Sequence, residues 1–211
     1  MKLGFIFECG PDGGDMKVFR HLSKMILAGV NIPFEEKKHF DYEPLSSKPG
    51  LLKESGKAAK RLLGAGCEKV FIVWDLFPAW RDDREKPCRH EDKEAIKASL
   101  AAHQISTEQV IFLCLEEELE AWLIADSRAL NAYFSKPHRK IDESTDNKNP
   151  DKAKDPKGIL AGYFKRFKGG IKYDGNTHAE QIAKQLPDFK RIRRSETFRR
   201  FYLKLTGNSL K

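Results

Sequence analysis

Three apolar runs in this 211-residue chain each stop at an acid, and that pattern restricts the fold more than any other feature. LGFIF (residues 3–7) runs into Glu8, KVFIVW (69–74) into Asp75, and QVIFLCL (109–115) into Glu116. A short, uninterrupted apolar run suits a strand buried on both faces, the condition of a parallel sheet covered by helices. Helical spacing fills the intervals. Val18, Phe19, Leu22, Met25 and Ile26 recur on one face after Asp15, which has the chemistry of an N-cap. KPGLLKESGKAAKRLLGAG places Leu51, Leu52, Ala58, Ala59, Leu62 and Leu63 inside and ends at Gly64 and Gly66. KEAIKASLAAHQ reads as a further helix, and GVNIPFEE (29–36) as a further strand. Strands alternating with helices predict an α/β fold, a parallel sheet joined by right-handed crossovers.

In open α/β sheets the ligand crevice lies beyond the carboxyl ends of the strands. Glu8, Asp75 and the acids of 116–120 are therefore expected to converge there. A hard cation such as Mg²⁺ needs only one or two protein carboxylates beside water and phosphate oxygens, so few ligands suffice. On a helical wheel of EEELEAWLIAD, Leu119, Trp122, Leu123 and Leu130 share a face, and Glu116 and Glu120 flank it. Glu116, Glu117 and Glu118 equally suit a helix N-terminus through its dipole, and Asp126 suits the N-cap of the helix opening at SRAL. GPDGGD matches neither G-x-G-x-x-G nor the P-loop, and its glycines serve a tight turn as well as a phosphate cradle.

Other chemistries find little support. The six histidines show no H-E-x-x-H spacing, there is no G-x-S-x-G elbow, and Cys9, Cys67, Cys88 and Cys114 form no C-x-x-C pair. Free thiols are expected, with Cys88 and His90 an incidental pair. Trp74 and Trp122 read as core, whereas Trp80 in FPAWRDD suits either packing or base stacking. No run approaches a membrane span and the first residues read as a strand rather than a signal, which predicts a soluble, cytoplasmic protein.

Charge divides the chain. Residues 1–150 hold 23 Lys and Arg against 25 Asp and Glu, while 151–211 hold 16 against 6, within a net charge of +8. Clustered cations release counterions from phosphates, so nucleic acid is the expected partner. Residues 135–157 are polar, charged and aperiodic and read as a flexible loop or linker. GILAGYFKRF, THAEQIAKQL and SETFRRFYLKL beyond it read as helices, the last with interleaved aromatic and basic residues. The expected organisation is an α/β domain over 1–134, the linker 135–157 and a basic helical region over 158–211.

GFIFECG ending on Glu8, VFIVWDLFPAW with Asp75, and LEEELEAWLIAD together resemble a TOPRIM-like bacterial domain of unknown function related to overcoming-lysogenization-defect (OLD) nucleases. The resemblance covers roughly residues 1–135, with a looser echo in DPKGIL and THAEQIA. It implies a compact parallel sheet flanked by helices and Mg²⁺- or Mn²⁺-dependent phosphodiester chemistry on DNA or RNA. Glu8 would be the general acid/base and Asp75 a metal ligand, with Glu8 and Glu120 also on the metal. Related domains act as toxin nucleases in phage defence, which also implies a protein partner. The chain departs from the usual D-x-D: Leu76 and Phe77 follow Asp75, so metal binding and activity require that Glu120, Asp82 or Asp83 compensate. Lys157 in DPK would stabilise charge on the scissile phosphate. The competing expectation is a catalytically silent module that binds nucleic acid or a partner.

Overall fold

A computed structural model describes residues 1–76, 89–134, 141 and 149–210. Among these, four strands form one all-parallel sheet in the order β2-β1-β3-β4: β1 (Leu3–Phe7), β2 (Phe40–Pro44), β3 (Lys69–Asp75) and β4 (Val110–Leu115). The expected α/β class and parallel sheet are therefore present. Helix α1 (Gly14–Gly29) follows β1, α3 (Lys48–Gly64) connects β2 to β3, and α4 (Arg89–Ala102) precedes β4.

The second strand is not where GVNIPFEE suggested. Asn31 turns the chain at φ 57°, Pro33 offers no N–H, and a short helix α2 (Glu36–His39) intervenes before pairing begins at Phe40. β2 is an edge strand of which only Phe40 is buried, so it tolerates Asp41, Glu43 and a terminal Pro44 and carries no apolar run.

Period-two alternation divides the core between the faces of the sheet. Leu3, Phe5, Phe7, Phe71, Val73, Leu113 and Leu115 pack with α1 and the C-terminal helices, whereas Ile6, Val70, Ile72, Trp74 and Cys114 pack with α3 and α4. After β4 the chain forms two short helices, α5 (Glu120–Leu123) and α6 (Ser127–Phe134), and then α7 (Pro156–Phe167), α8 (Gly175–Ala183) and α9 (Glu196–Thr206). Asp126 does cap α6, its Oδ1 accepting the Arg128 N–H at 3.0 Å. Phe201 of α9 stands edge-on to Phe19 and Phe71, with ring centroids 5.1 and 5.6 Å away, and Trp122 meets Phe198 at 5.2 Å. One buried cluster thus runs from Leu3 to Leu205.

Of the stretch read as a linker, Ile141 is buried, Asp151 accepts hydrogen bonds from Ser195 Oγ and the Glu196 N–H, and α7 already takes in Pro156 and Lys157. Among the described residues no helix is long and apolar enough to cross a membrane, and Cys9, Cys67 and Cys114 are free thiols. Phe77, Trp80, Asp82, Asp83 and Cys88 lie outside the described residues.

Candidate functional site

Glu8 follows the last residue of β1 and Asp75 is the last of β3, so neighbouring parallel strands deliver both acids to one sheet edge. The Glu8 carboxylate accepts the backbone N–H of Asp75, and its Oε2 is buried without a hydrogen-bond partner. Burial pushes its pKa up to about 7; Lys48 opposes the shift and Asp15 adds to it. Asp75 is raised well above the ordinary carboxylate range by burial, then by Asp15 and Glu8.

Asp15 belongs to the same cluster, contrary to its reading as an N-cap. The cap position of α1 is Gly13, which has no side chain to accept; Asp15 sits in the first turn, its own pKa raised by burial and Glu118 against the attraction of Lys157. The uncapped N–H of Gly14 donates instead to Asn176 Oδ1 at 3.1 Å, and Lys17 Nζ reaches the Asn176 carbonyl at 2.9 Å. These bonds hold the start of α8 against the start of α1. The approach is close enough that a Cβ at Gly14 would lie 2.3 Å from the Gly175 carbonyl oxygen.

The acids after β4 separate. Glu116 pairs with Arg89 and takes no part in the cluster's hydrogen bonds, so the sequence's EEE is not one functional unit. Glu118 pairs with Lys157 Nζ at 2.6 Å. Glu120, first residue of α5, is only 4 % exposed, and its Oε1 accepts the Tyr173 hydroxyl at 3.1 Å. Its pKa too is pushed up to about 7, by burial and then Asp15, with Lys157 opposing. Lys157 itself is held protonated: partial burial works against its charge, and Glu120 and Glu118 outweigh that. It is placed by the start of α7, where Asp155 adopts a left-handed φ of 48° and accepts the Gly158 N–H at 2.9 Å.

Glu8, Asp75, Glu120 and Lys157 act on one another electrostatically at this edge, where the sequence placed the strand-end acids. Glu118 also belongs to the 116–120 acids expected here, whereas Asp15 and Tyr173 were missed. Asp15 was hidden by its chemistry as a capping residue, and Tyr173 by lying in a polar GGIKYDG segment far along the chain. Beside the cluster, Ala121, Ala125 and Ile159 wall an apolar cavity of about 520 Å³ with Lys152 and Lys154 on its lining.

Among the described residues no group of three His, Cys, Asp or Glu side chains is already spaced to hold a metal ion. The donor set nevertheless fits a hard divalent cation: every member is a carboxylate, the acids raise one another's pKa values, and one buried oxygen of Glu8 lacks a partner. What the arrangement offers chemically is a concentration of carboxyl oxygens, groups that exchange protons near neutrality, and a fixed ammonium.

No curated protein and no solved structure matches the chain. A family model does match, over residues 18–206, spanning Asp75, Glu120, Lys157 and Tyr173. The chain belongs to the family described as domain of unknown function (DUF4276).

Proposed function

We propose that this protein is a TOPRIM-type, divalent-cation-dependent nuclease that hydrolyses phosphodiester bonds of DNA or RNA. The observation carrying the reading is the convergence of Glu8, Asp15, Asp75 and Glu120 at the carboxyl edge of a parallel sheet, beside an ammonium from a basic region. Glu8, Asp75 and Glu120 would hold Mg²⁺ or Mn²⁺, which when bound offsets charge on phosphate oxygens and favours ionisation of water. Glu8, whose Oε2 has no hydrogen-bond partner, would take a proton from an attacking water and return it to a leaving oxygen. Lys157 remains charged, suited to stabilising the extra negative charge of the transition state.

Substrate grip is assigned to the basic C-terminal third. Helix α7 carries Lys157 in its first turn and the exposed Lys165 in its last, about 12 Å apart along the axis at the usual helical rise. That spans about two steps between phosphates along one backbone. The cavity beside Glu120 gives an adjoining nucleotide an apolar wall and two lysines.

The test is cleavage of labelled single- and double-stranded DNA and RNA with Mg²⁺ or Mn²⁺, comparing wild type with Glu8→Gln and Asp75→Asn. Each variant should lose at least about 100-fold in rate while keeping its circular dichroism spectrum. If no nucleic acid is cut and no divalent ion stabilises the wild type, the nuclease reading fails. Salt-dependent binding that survives Glu8→Gln, without cleavage by the wild type, would establish the second reading, a silent binding module. Phe77 in place of the second D-x-D aspartate favours that one.

A further inference from the structure

Tyr173 reaches the acid cluster from the connection between α7 and α8, far from any strand end. Its ring packs on Phe164, centroids 5.4 Å apart, with His178 beyond at 6.0 Å. These contacts aim the hydroxyl at Glu120 Oε1, 3.1 Å away. Gly175 closes the same spot: a Cβ there would sit 3.3 Å from Glu120 Oε1 and 3.8 Å from the Tyr173 oxygen. The carboxylate of Glu120 is therefore wedged between a phenol and bare backbone on one side, with the ammonium of Lys157 acting on it as well.

We propose that Tyr173 is the positioning residue for Glu120, fixing one carboxylate oxygen by a neutral hydrogen bond so that the remaining lone pairs are left to a divalent cation. A phenol suits this task better than a second lysine. It holds the oxygen in place without cancelling the charge that attracts the cation, and a metal-binding carboxylate is commonly oriented by such an outer partner. The hydroxyl is engaged as a donor to Glu120 Oε1 at 3.1 Å, which suits it to positioning rather than to attack on phosphorus. The connection from α7 to α8 thus contributes a working part of the site. This inference rests on the reading of Glu120 as a cation ligand.

The experiment compares wild type with Tyr173→Phe, which deletes the hydroxyl and keeps the ring. Isothermal titration of the full chain with Mn²⁺, without nucleic acid, should show affinity weakened by about ten-fold. In steady-state cleavage kcat should fall while KM for the oligonucleotide stays unchanged, a split that a general loosening of the fold would not produce. Equal Mn²⁺ affinity in the two proteins overturns the positioning role and leaves the nuclease reading standing. A wild type that binds no cation overturns both. Should Tyr173→Phe fail to fold, Gly175→Ala decides the matter, since its methyl presses on Glu120 Oε1 with the phenol retained. Weakened Mn²⁺ binding supports the positioning of Glu120, and unchanged binding overturns it.

Discussion

Glu120→Gln isolates the energetic cost of the acid cluster. Glu120 is buried, and its pKa is moved from 4.5 to about 7, chiefly by burial, with Lys157 opposing and Asp15 adding. The unfolded chain releases this proton near pH 4.5, whereas the folded protein keeps it until about pH 7. Stability therefore falls as pH rises through that window and stays lowered above it. At about 1.4 kcal/mol per pH unit, the shift amounts to roughly 3 kcal/mol at pH 8. Gln keeps the shape and still accepts from Tyr173, so the substitution should remove most of the cost. In EDTA the variant is expected to exceed wild type by about 2–3 kcal/mol at pH 8, and by no more than about half a kcal/mol at pH 4.5. For a chain of this size that is a Tm difference of about 5–10 °C at pH 8. Urea unfolding followed by circular dichroism at the two pH values measures the gap directly. A gap of equal size at both, or a wild type more stable at pH 8, would refute the argument that burial of this charge opposes folding. Saturating Mg²⁺ should narrow or reverse the gap, because a cation at 100 times its Kd stabilises the protein that binds it by about 2.7 kcal/mol.

Three other variants probe separate links. Phe201→Ala removes the ring that α9 places against Phe19 and Phe71 and should cost about 3–5 kcal/mol in chemical denaturation; a loss below about 1 kcal/mol would mean that α9 is not part of the core. Gly14→Ala drives a methyl toward the Gly175 carbonyl, so a loss of about 1–3 kcal/mol is expected, together with weaker Mn²⁺ binding as Tyr173 moves off Glu120. Replacing Lys165 and Arg166 on α7 with Glu should flatten the plot of log binding constant against log salt by about 1.8 if both meet phosphates. An unchanged slope in fluorescence anisotropy would place the nucleic acid elsewhere.

Legibility in the sequence follows the strength of each local signal. Strands β1, β3 and β4 were visible because they are buried on both faces and so read as unbroken apolar runs. Strand β2 was misplaced because FDYEP has neither an apolar run nor clean alternation and only Phe40 is buried, whereas the other edge strand, β4, keeps its apolar run. Glu8 and Asp75 were legible because a parallel sheet sends consecutive strand ends to one edge. Asp15 was not, since a carboxylate at a helix start satisfies a cap and a site equally well, and only the absence of capping by Gly13 tells them apart. Glu116 and Glu118 look alike in EEE, and their roles diverge through Arg89 and Lys157, partners remote in sequence. Tyr173 could not be read at all, because its role depends on how α7 and α8 dock.

The docking of the C-terminal helices also explains how so many acids can share one edge. Helices α1, α7 and α8 all begin at the cluster, with Asp15 in the first turn of α1, Lys157 in the first turn of α7 and Gly175 at the head of α8 against Glu120. Helix starts carry partial positive charge, so these three ends together with Lys157 offset part of the mutual repulsion. Burial, and after it the neighbouring acids, still keep the pKa values of Glu8, Asp15, Asp75 and Glu120 above their ordinary range. A cluster that were purely structural would be stabler with any one acid made neutral, and the sheet edge would fold as well on amides. Acids that the fold neutralises only in part fit a site whose remaining countercharge arrives from solution, and a divalent cation followed by the phosphates it attracts has the required sign and chemistry.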